Sequence, residues 1–535
     1  MGEKHLWWQY GIVYQIYPRS FLDSSGDGIG DLEGIVRKLD YVQDLGVNAI
    51  WISPIYPSPM KDFGYDVSDY TGIHPMFGTM DDFDRLLEEV HRRGMKLILD
   101  FVPNHTSDQH PWFIESRSSR DSPKRDWYLW LDPDQEGGPP NNWLSAFGGK
   151  AWEYDQKTEQ YYYHAFLKEQ PDLNWRNREV RDAMYDVMRF WLDKGVDGFR
   201  VDVMWHLIKD AQFRDNPPNP DYNPQTDPPY HEVIPAFSTD QQEVHDVVSE
   251  MRSLLDEYDQ RVMIAEIYLP IGQLVEYYGL HGSGAHLPFN FELIVLPWNA
   301  RKIAAAIDKY EGSLPPWGWP NWVLGNHDKP RVLSRVGKEQ APVAATLLLT
   351  LRGTPTMYYG DEIGMHDVAI PHELVHDPQE KLTPGLGLGR DPQRTPMQWT
   401  SGGNAGFSTG DPWLPVPEDH VSVNVEDESA DPGSLLTFYR RLIRLRQSEP
   451  ALNVGAFIPI NTDGDLLAYI RRDGERSFLV ALNLGHRPGI VEFEHREVRG
   501  EVVLATDRSL EGTRIEKRLE LQGDSALIIL LDPNG

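Results

Sequence analysis

Gly198-Phe199-Arg200-Val201-Asp202-Val203 reads as a β-strand in which Phe199, Val201 and Val203 face one way and Arg200 and Asp202 the other. Burying a lone carboxylate costs on the order of several kcal/mol. Arg200, two residues away on the same face, offsets that cost. It is expected to hold Asp202 ionised, with a pKa below the ordinary carboxylate range. An ionised, positioned carboxylate is what a covalent nucleophile needs. A structural ion pair at a strand end is the other reading of these six residues.

The pattern continues outward from this strand. A helix is expected over 180–194, closed by Gly195, immediately before it. Further strands are expected at 12–18, 48–53, 96–102, 261–267, 287–291, 322–325 and 355–360, with helices over 31–45 and 83–93. Nearly continuous apolar strands alternating with helices indicate a parallel sheet covered by helices. Eight such units predict an α/β fold, a (β/α)8 TIM barrel whose active site lies at the C-terminal ends of the strands. An open doubly wound sheet is disfavoured because no GxGxxG follows the first strand. The rhythm breaks after Pro103. Residues 104–176 are rich in Pro, Gly, Asn and aromatics and are expected to form an inserted loop-rich subdomain after strand 3, and 217–235 a second loop insertion. Short alternating runs after about 466 predict a C-terminal antiparallel β domain. The expected division is a barrel over 1–103 and 177–455, an insertion over 104–176 and a β domain over 456–535.

Composition narrows the function. The chain of 535 residues has 51 Lys and Arg against 82 Asp and Glu, a formal charge of −31, which disfavours nucleic acid and anionic membranes as partners. There is no Cys, so disulfides and thiolate metal sites are excluded and a cytoplasmic home is expected. Met1 to Tyr10 has no apolar core before a small-residue cleavage site, and no apolar run reaches membrane-spanning length.

A barrel gathers to one rim the residues that end its strands. Here these are Asp100 with His105 just beyond, Arg200 and Asp202, Glu266, and Asn326-His327-Asp328. Chemistry that needs two close carboxyl groups of different pKa is glycosidic bond cleavage, at about 5–5.5 Å separation for retention of configuration. Asp202 suits the nucleophile. Glu266, between apolar Ala265 and Ile267, suits the protonated acid, and Asp328 suits stabilising charge on the distorted sugar. Separately, Asp23-Ser24-Ser25-Gly26-Asp27-Gly28-Ile29-Gly30-Asp31 places oxygen side chains at alternate positions between glycines, a loop able to wrap a hard cation, or a glycine-rich turn with an Asp cap.

These stretches resemble glycoside hydrolase family 13, the α-amylase superfamily, and within it the bacterial α-glucosidase and oligo-1,6-glucosidase branch. The matching segments are 11–18, Asp100-Phe-Val-Pro-Asn-His105, Gln170-Pro-Asp-Leu-Asn174, Gly198-Phe-Arg-Val-Asp202, Glu266 and Asn326-His-Asp328, in family order over residues 1 to about 400. The resemblance implies Asp202 as nucleophile, Glu266 as acid/base and Asp328 as stabiliser. Tyr65, His105, Arg200 and His327 would line the glucose pocket; Phe147 and Phe166 read either as stacking walls or as core packing. It implies an Asp–Arg pair closing the far end, carried here to Asp66 and Arg394 with Arg390 as the alternative Arg. It also implies a structural Ca2+ or Mg2+ held by Asp23, Ser25, Asp27, Asp31 and the Ile29 carbonyl, Ser25 standing where relatives have Asn. Lys329 stands where Gln is commoner, and Val203 leans toward α-1,6 linkages. The implied activity is a retaining exo-acting α-glucosidase on short α-glucosides such as maltose, isomaltose or sucrose. The alternative is an α-glucosyl transferase or a sucrose- or trehalose-type isomerase using the same site. A catalytically dead binding subunit would require a missing carboxylate, and all three are present.

Overall fold

A computed structural model describes residues 5–492, 498–516 and 518–533. Eight strands form its centre: β1 (Val13–Ile16), β2 (Ala49–Ile52), β3 (Lys96–Phe101), β4 (Gly198–Val201), β5 (Val262–Ile267), β6 (Leu287–Asn290), β7 (Asn321–Val323) and β8 (Thr354–Tyr358). They are hydrogen-bonded in parallel in the order β7-β8-β1-β2-β3-β4-β5-β6. Strands β6 and β7 lie side by side and close the ring. The expected (β/α)8 barrel is therefore found, with every expected strand in place. The strands are buried on both faces, as the apolar runs require: all four residues of β2 and all six of β5 are buried.

Register decides what reaches the rim. Asp100 on β3 lies opposite Arg200 on β4, and Val201 lies opposite Ala265 on β5. Asp202 and Glu266 therefore leave the sheet side by side, flanked by Asp100. Gly198 is the residue that lets β4 come this close to β5, since a Cβ there would lie 2.2 Å from the Val262 carbonyl oxygen.

The outer helices start and stop on local signals. Helix Arg178–Lys194 is capped by the Asn177 side chain accepting from the Glu179 N–H, and ends at Gly195 with φ 108°. Helix Met80–Arg92 starts three residues before the expected position because Thr79 and Asp82 form a reciprocal capping box. The helix expected over 31–45 is two, Leu32–Arg37 and Leu39–Leu45, broken where Lys38 leaves helical geometry.

Between β3 and β4, strands Trp130–Leu131, Gln160–Tyr163 and Trp152–Asp155 form a small antiparallel sheet. It has its own core of Leu129, Trp143, Ala151, Trp152, Tyr163 and Ala165. Beyond the barrel, six antiparallel strands between Ala456 and Leu531 form the C-terminal β domain. Fully buried Arg471 ties it to the barrel by donating to the Leu452, Asn453 and Gly455 carbonyls, beside buried Arg446, which donates to Leu349, Gly353 and Leu452. Among the described residues no helix is long and apolar enough to cross a membrane.

Candidate active site

At the C-terminal rim, the Arg200 guanidinium is shared by three carboxyl groups. Its Nη1 lies 2.8 Å from Asp100 Oδ1 and 2.7 Å from Asp202 Oδ1, and its Nη2 lies 2.7 Å from Glu266 Oε2. Arg200 is fully buried, and the three acids are 6% exposed or less. One positive charge cannot neutralise three carboxylates in a dry site, so the cluster keeps a proton. Burial pushes Asp202 well above the ordinary carboxylate range, and the neighbouring Glu266 and Asp100 add to this against the pull of Arg200. Burial likewise raises Asp100 to about 6. This corrects the expectation of a depressed Asp202. Read along one strand, Arg200 belongs to Asp202 alone; across the barrel it belongs equally to Asp100 and Glu266. Asp202 and Glu266 also interact directly through their carboxyl groups.

Asp328 sits in a different field. Burial would raise it, but it is held well below the usual range. Arg394 Nη2 lies 2.7 Å away and Arg390 Nη1 3.6 Å away. His327 beside it is neutral, because burial lowers its pKa to about 3, so the two guanidinium groups supply the attraction. The tautomer of His327 follows from its neighbours. Tyr65 Oη donates to Asp100 Oδ2, so at 2.7 Å it must accept from His327 Nε2–H, leaving Nδ1 to accept from the Gln15 amide at 2.7 Å. His105 is also kept neutral by burial, at about 4, with Nε2 3.0 Å from the Tyr65 carbonyl.

The far end of the pocket is closed by a pair that the sequence reading misassigned. Arg390 Nη2 lies 2.6 Å from Asp62 Oδ1 and 2.6 Å from Asp377 Oδ1. The expected Asp66–Arg394 pair does not form. Asp66 is fully buried in the turn before it, accepting from Ser58 Oγ and the Lys61 and Asp62 N–H groups. Arg394 donates to the His327 carbonyl as well as pairing with Asp328. Positive φ at Met60, Phe63 and Gly64 turns Asp62 into the cavity and Asp66 away from it.

The cavity, about 440 Å³, is lined by residues that include Asp62, Tyr65, His105, Phe147, Phe166, Asp202, Val203, Glu266, Asp328 and Arg390, while Arg200, His327 and Arg394 are fully buried against them. Phe147 and Phe166 meet edge to face at 5.6 Å, as walls contributed by the insertion. Val203 departs from ordinary geometry. This β-branched residue has φ 37° and ψ 48°, a left-handed conformation that costs roughly 1–3 kcal/mol, and its N–H donates to Glu266 Oε2 at 2.9 Å. Sequence reading missed Asp62, Asp377, Trp205, Tyr230, His231 and Tyr268, which reach the cavity or its closing pair from irregular loops without periodic signal. The proline-rich stretch at 217–235, read only as an insertion, supplies Tyr230, His231 and Pro235.

The loop at 23–31 lies apart from this cavity. Gly26 and Gly28 have φ near 86° and 87°. Asp23 accepts from the Ser25, Gly26 and Gly28 N–H groups and from Ser408 Oγ at 2.6 Å, Asp27 accepts from the Ile29 N–H, and Asp31 accepts from Ser24 and Gly34. Among the described residues, no group of three or more His, Cys, Asp or Glu side chains is placed to hold a metal ion.

Residues 15–455 match the family model for the alpha amylase catalytic domain. The oligo-1,6-glucosidase of Parageobacillus thermoglucosidasius is 41% identical over 521 residues, covering 90% of this chain and 91% of that protein. The crystal structure of the α-glucosyl transfer enzyme XgtA superposes with a TM-score of 0.93 at 40% identity, covering 99% of this chain and 100% of that one. The trehalulose synthase MutB from Pseudomonas mesoacidophila MX-45 superposes at 0.90 with 36% identity, covering 99% and 100%.

The buried neutral His327 generates a pH prediction. Its pKa falls from about 6.5 unfolded to about 3 folded, so between these values the unfolded chain binds the extra proton. Stability from this group therefore rises with pH across that window and is lost as pH falls through it. Urea unfolding at pH 7 and pH 4 should show His327→Gln losing roughly 3 kcal/mol less than the wild type on acidification. An equal loss in both proteins would mean that His327 is already protonated in the folded state.

Proposed function

The chain belongs to the alpha-amylase family of glycoside hydrolases, and from that premise we propose that it is a retaining, exo-acting α-glucosidase releasing terminal glucose from short α-glucosides. The observation that carries this reading is the single Arg200 guanidinium bridging Asp202 and Glu266, which sets two carboxyl groups at close spacing with a proton to share. The cluster's proton passes from Asp202 to Glu266 through their direct carboxyl contact, and Asp202, now a carboxylate, attacks the anomeric carbon and displaces the leaving oxygen, to which Glu266 delivers that proton. Glu266, now a carboxylate held by the Val203 N–H, then takes a proton from water as that water attacks the glucosyl ester and frees Asp202. Asp328, kept ionised by Arg394 and Arg390, faces the positive charge that develops on the ring. Neutral His105 and His327 bind and orient glucose hydroxyls without adding charge. Val203, which follows the nucleophile and lines the cavity, leans the reading toward α-1,6 linkages. A second reading, transfer of glucose to a sugar acceptor, is supported by the likeness to XgtA and MutB, since only the nucleophile of the second step differs.

Proton NMR of fresh reaction mixtures with isomaltose, maltose and sucrose tests both readings. α-Glucose should appear first and mutarotate to the β-anomer. β-Glucose as the first product would overturn retention, and new disaccharides in place of glucose would establish transfer or isomerisation.

The closing pair separates stability from recognition. Asp62→Ala should lower kcat/KM for isomaltose by about 10²–10³-fold, because the outer glucose hydroxyls lose a charged partner at the dry end of the pocket. Asp66→Ala should lower the melting temperature by emptying the turn of three hydrogen bonds, while the folded variant keeps disaccharide kcat/KM within a few-fold. The reverse pattern would restore Asp66 as the substrate residue.

We also propose a structural Ca2+ or Mg2+ in the loop at 23–31. Its donor set of three carboxylates, the Ser25 hydroxyl and the Ile29 carbonyl is all hard oxygen within nine residues. Binding requires Asp23, Asp27 and Asp31 to exchange hydrogen bonds of the loop for the ion. EDTA should lower the melting temperature and added Ca2+ should restore it. An unchanged melting temperature would show that the loop is held by its hydrogen bonds alone.

A further inference from the structure

The catalytic cavity has two unlike ends. One is closed by Asp62 and Arg390, and the other opens between Trp205, Tyr230, Tyr268 and Lys329. Lys329 is the only lysine of its lining. Its ammonium lies 5.3 Å from the centroid of the Tyr268 ring. That ring is in turn stacked on Phe291 at 4.1 Å and 12°, which fixes the face it presents. Tyr268 follows Glu266 by two residues and Lys329 follows Asp328 by one, so the ammonium stands on the side where Glu266 protonates the leaving oxygen. It is also uncommitted. Asp328 beside it is taken by Arg394 and Arg390, and among the described residues Lys329 has no ion-pair partner.

An unpaired ammonium at the open end of a cavity otherwise dominated by carboxyl groups, in a chain of charge −31, has little use for a neutral aglycone. We infer that Lys329 is a specificity-determining residue for an aglycone or acceptor bearing an anionic oxygen group, a carboxylate or a phosphate. The inference rests on the α-glucosidase reading and adds the class of its leaving group. An anion entering here meets repulsion from Asp202, Glu266 and Asp328 deeper in the cavity. A charge-assisted hydrogen bond from a lysine held over an aromatic face compensates that repulsion.

Three aryl α-glucosides test this, carrying 4-carbamoyl, 4-carboxylate and 4-phosphonate groups and compared by kcat/KM at low salt. The wild type should favour at least one anionic substrate over the carbamoyl one by about tenfold, and the preferred anion identifies carboxylate or phosphate as the natural group. That ratio should shrink in 0.5 M NaCl. In Lys329→Gln it should fall to about one or below, whichever way the absolute rates move. A merely structural role would change all three substrates together and leave the ratio standing, which would overturn the inference. So would a wild type that hydrolyses all three equally or prefers the neutral one, with the α-glucosidase reading intact. Hydrolysis of none of them would overturn both.

Discussion

One guanidinium serving three carboxyl groups is the constraint on which the rest of the site depends. Arg200 is wholly buried at the mouth of the barrel, within 2.8 Å of oxygens from Asp100, Asp202 and Glu266. Fully ionised, the four groups would carry a net charge of −2 out of contact with water, a state the fold cannot sustain. A proton therefore stays in the cluster. The proposed reaction, which must deliver one proton to a leaving oxygen while keeping one carboxylate free to attack, starts from that condition. The barrel makes the arrangement accessible because β3, β4 and β5 are adjacent and in register, so residues a hundred positions apart in sequence end beside one another.

The second charge group is balanced the opposite way. Asp328 faces Arg394 and Arg390 and remains a carboxylate. Two carboxyl environments thus stand a few residues' width apart, one short of positive charge and one rich in it. The neutral histidines keep them separate. A protonated His327 between Asp100, by way of Tyr65, and Asp328 would add a charge to both and erase the difference. Burial removes that proton, and the Gln15 amide fixes which ring nitrogen keeps its hydrogen. The left-handed Val203 belongs to the same economy of placement: its strained backbone turns one N–H onto Glu266, which a relaxed strand continuation would leave pointing along the sheet.

Much of this was legible in the sequence, for a physical reason. Strands buried on both faces carry apolar runs that stand out, and a barrel rule converts strand ends into a shared rim, so Asp202, Glu266 and Asp328 could be placed together before any coordinate. What failed was whatever depends on partners across the barrel or on irregular backbone. Arg200 was read with its neighbour along the strand, and its other two partners were invisible there. Asp62 and Asp66 are four residues apart in one turn, and only the positive φ values at Met60, Phe63 and Gly64 decide which faces the cavity. Arg390 and Arg394 sit in a similar turn, Asp391–Gln393, and no periodicity separates them. Tyr230 and His231 come from a proline-rich stretch whose composition says loop and nothing more.

The closed end of the pocket shows how such loops become a site. Arg390 gathers three segments remote in sequence: Asp62 from the loop after β2, Phe147 from the insertion, over whose ring its guanidinium lies at 4.8 Å, and Asp377 from the connection after β8. The Asp377 carboxylate also accepts from the Arg390 backbone N–H and Nε–H, so that half of the pair is held locally. Asp62 is the member supplied from a distance and the one that lines the cavity. Burial raises its carboxyl and Arg390 only partly offsets this, whereas the same arginine and Arg394 hold Asp377 below the ordinary range. On the proposed function, a sugar ring entering this end meets Asp62 in the cavity lining, while Asp377, outside it, holds the arginine in place. Closure and recognition are divided between two carboxylates on a single guanidinium, which repeats at the far wall the arrangement that Arg200 makes at the centre.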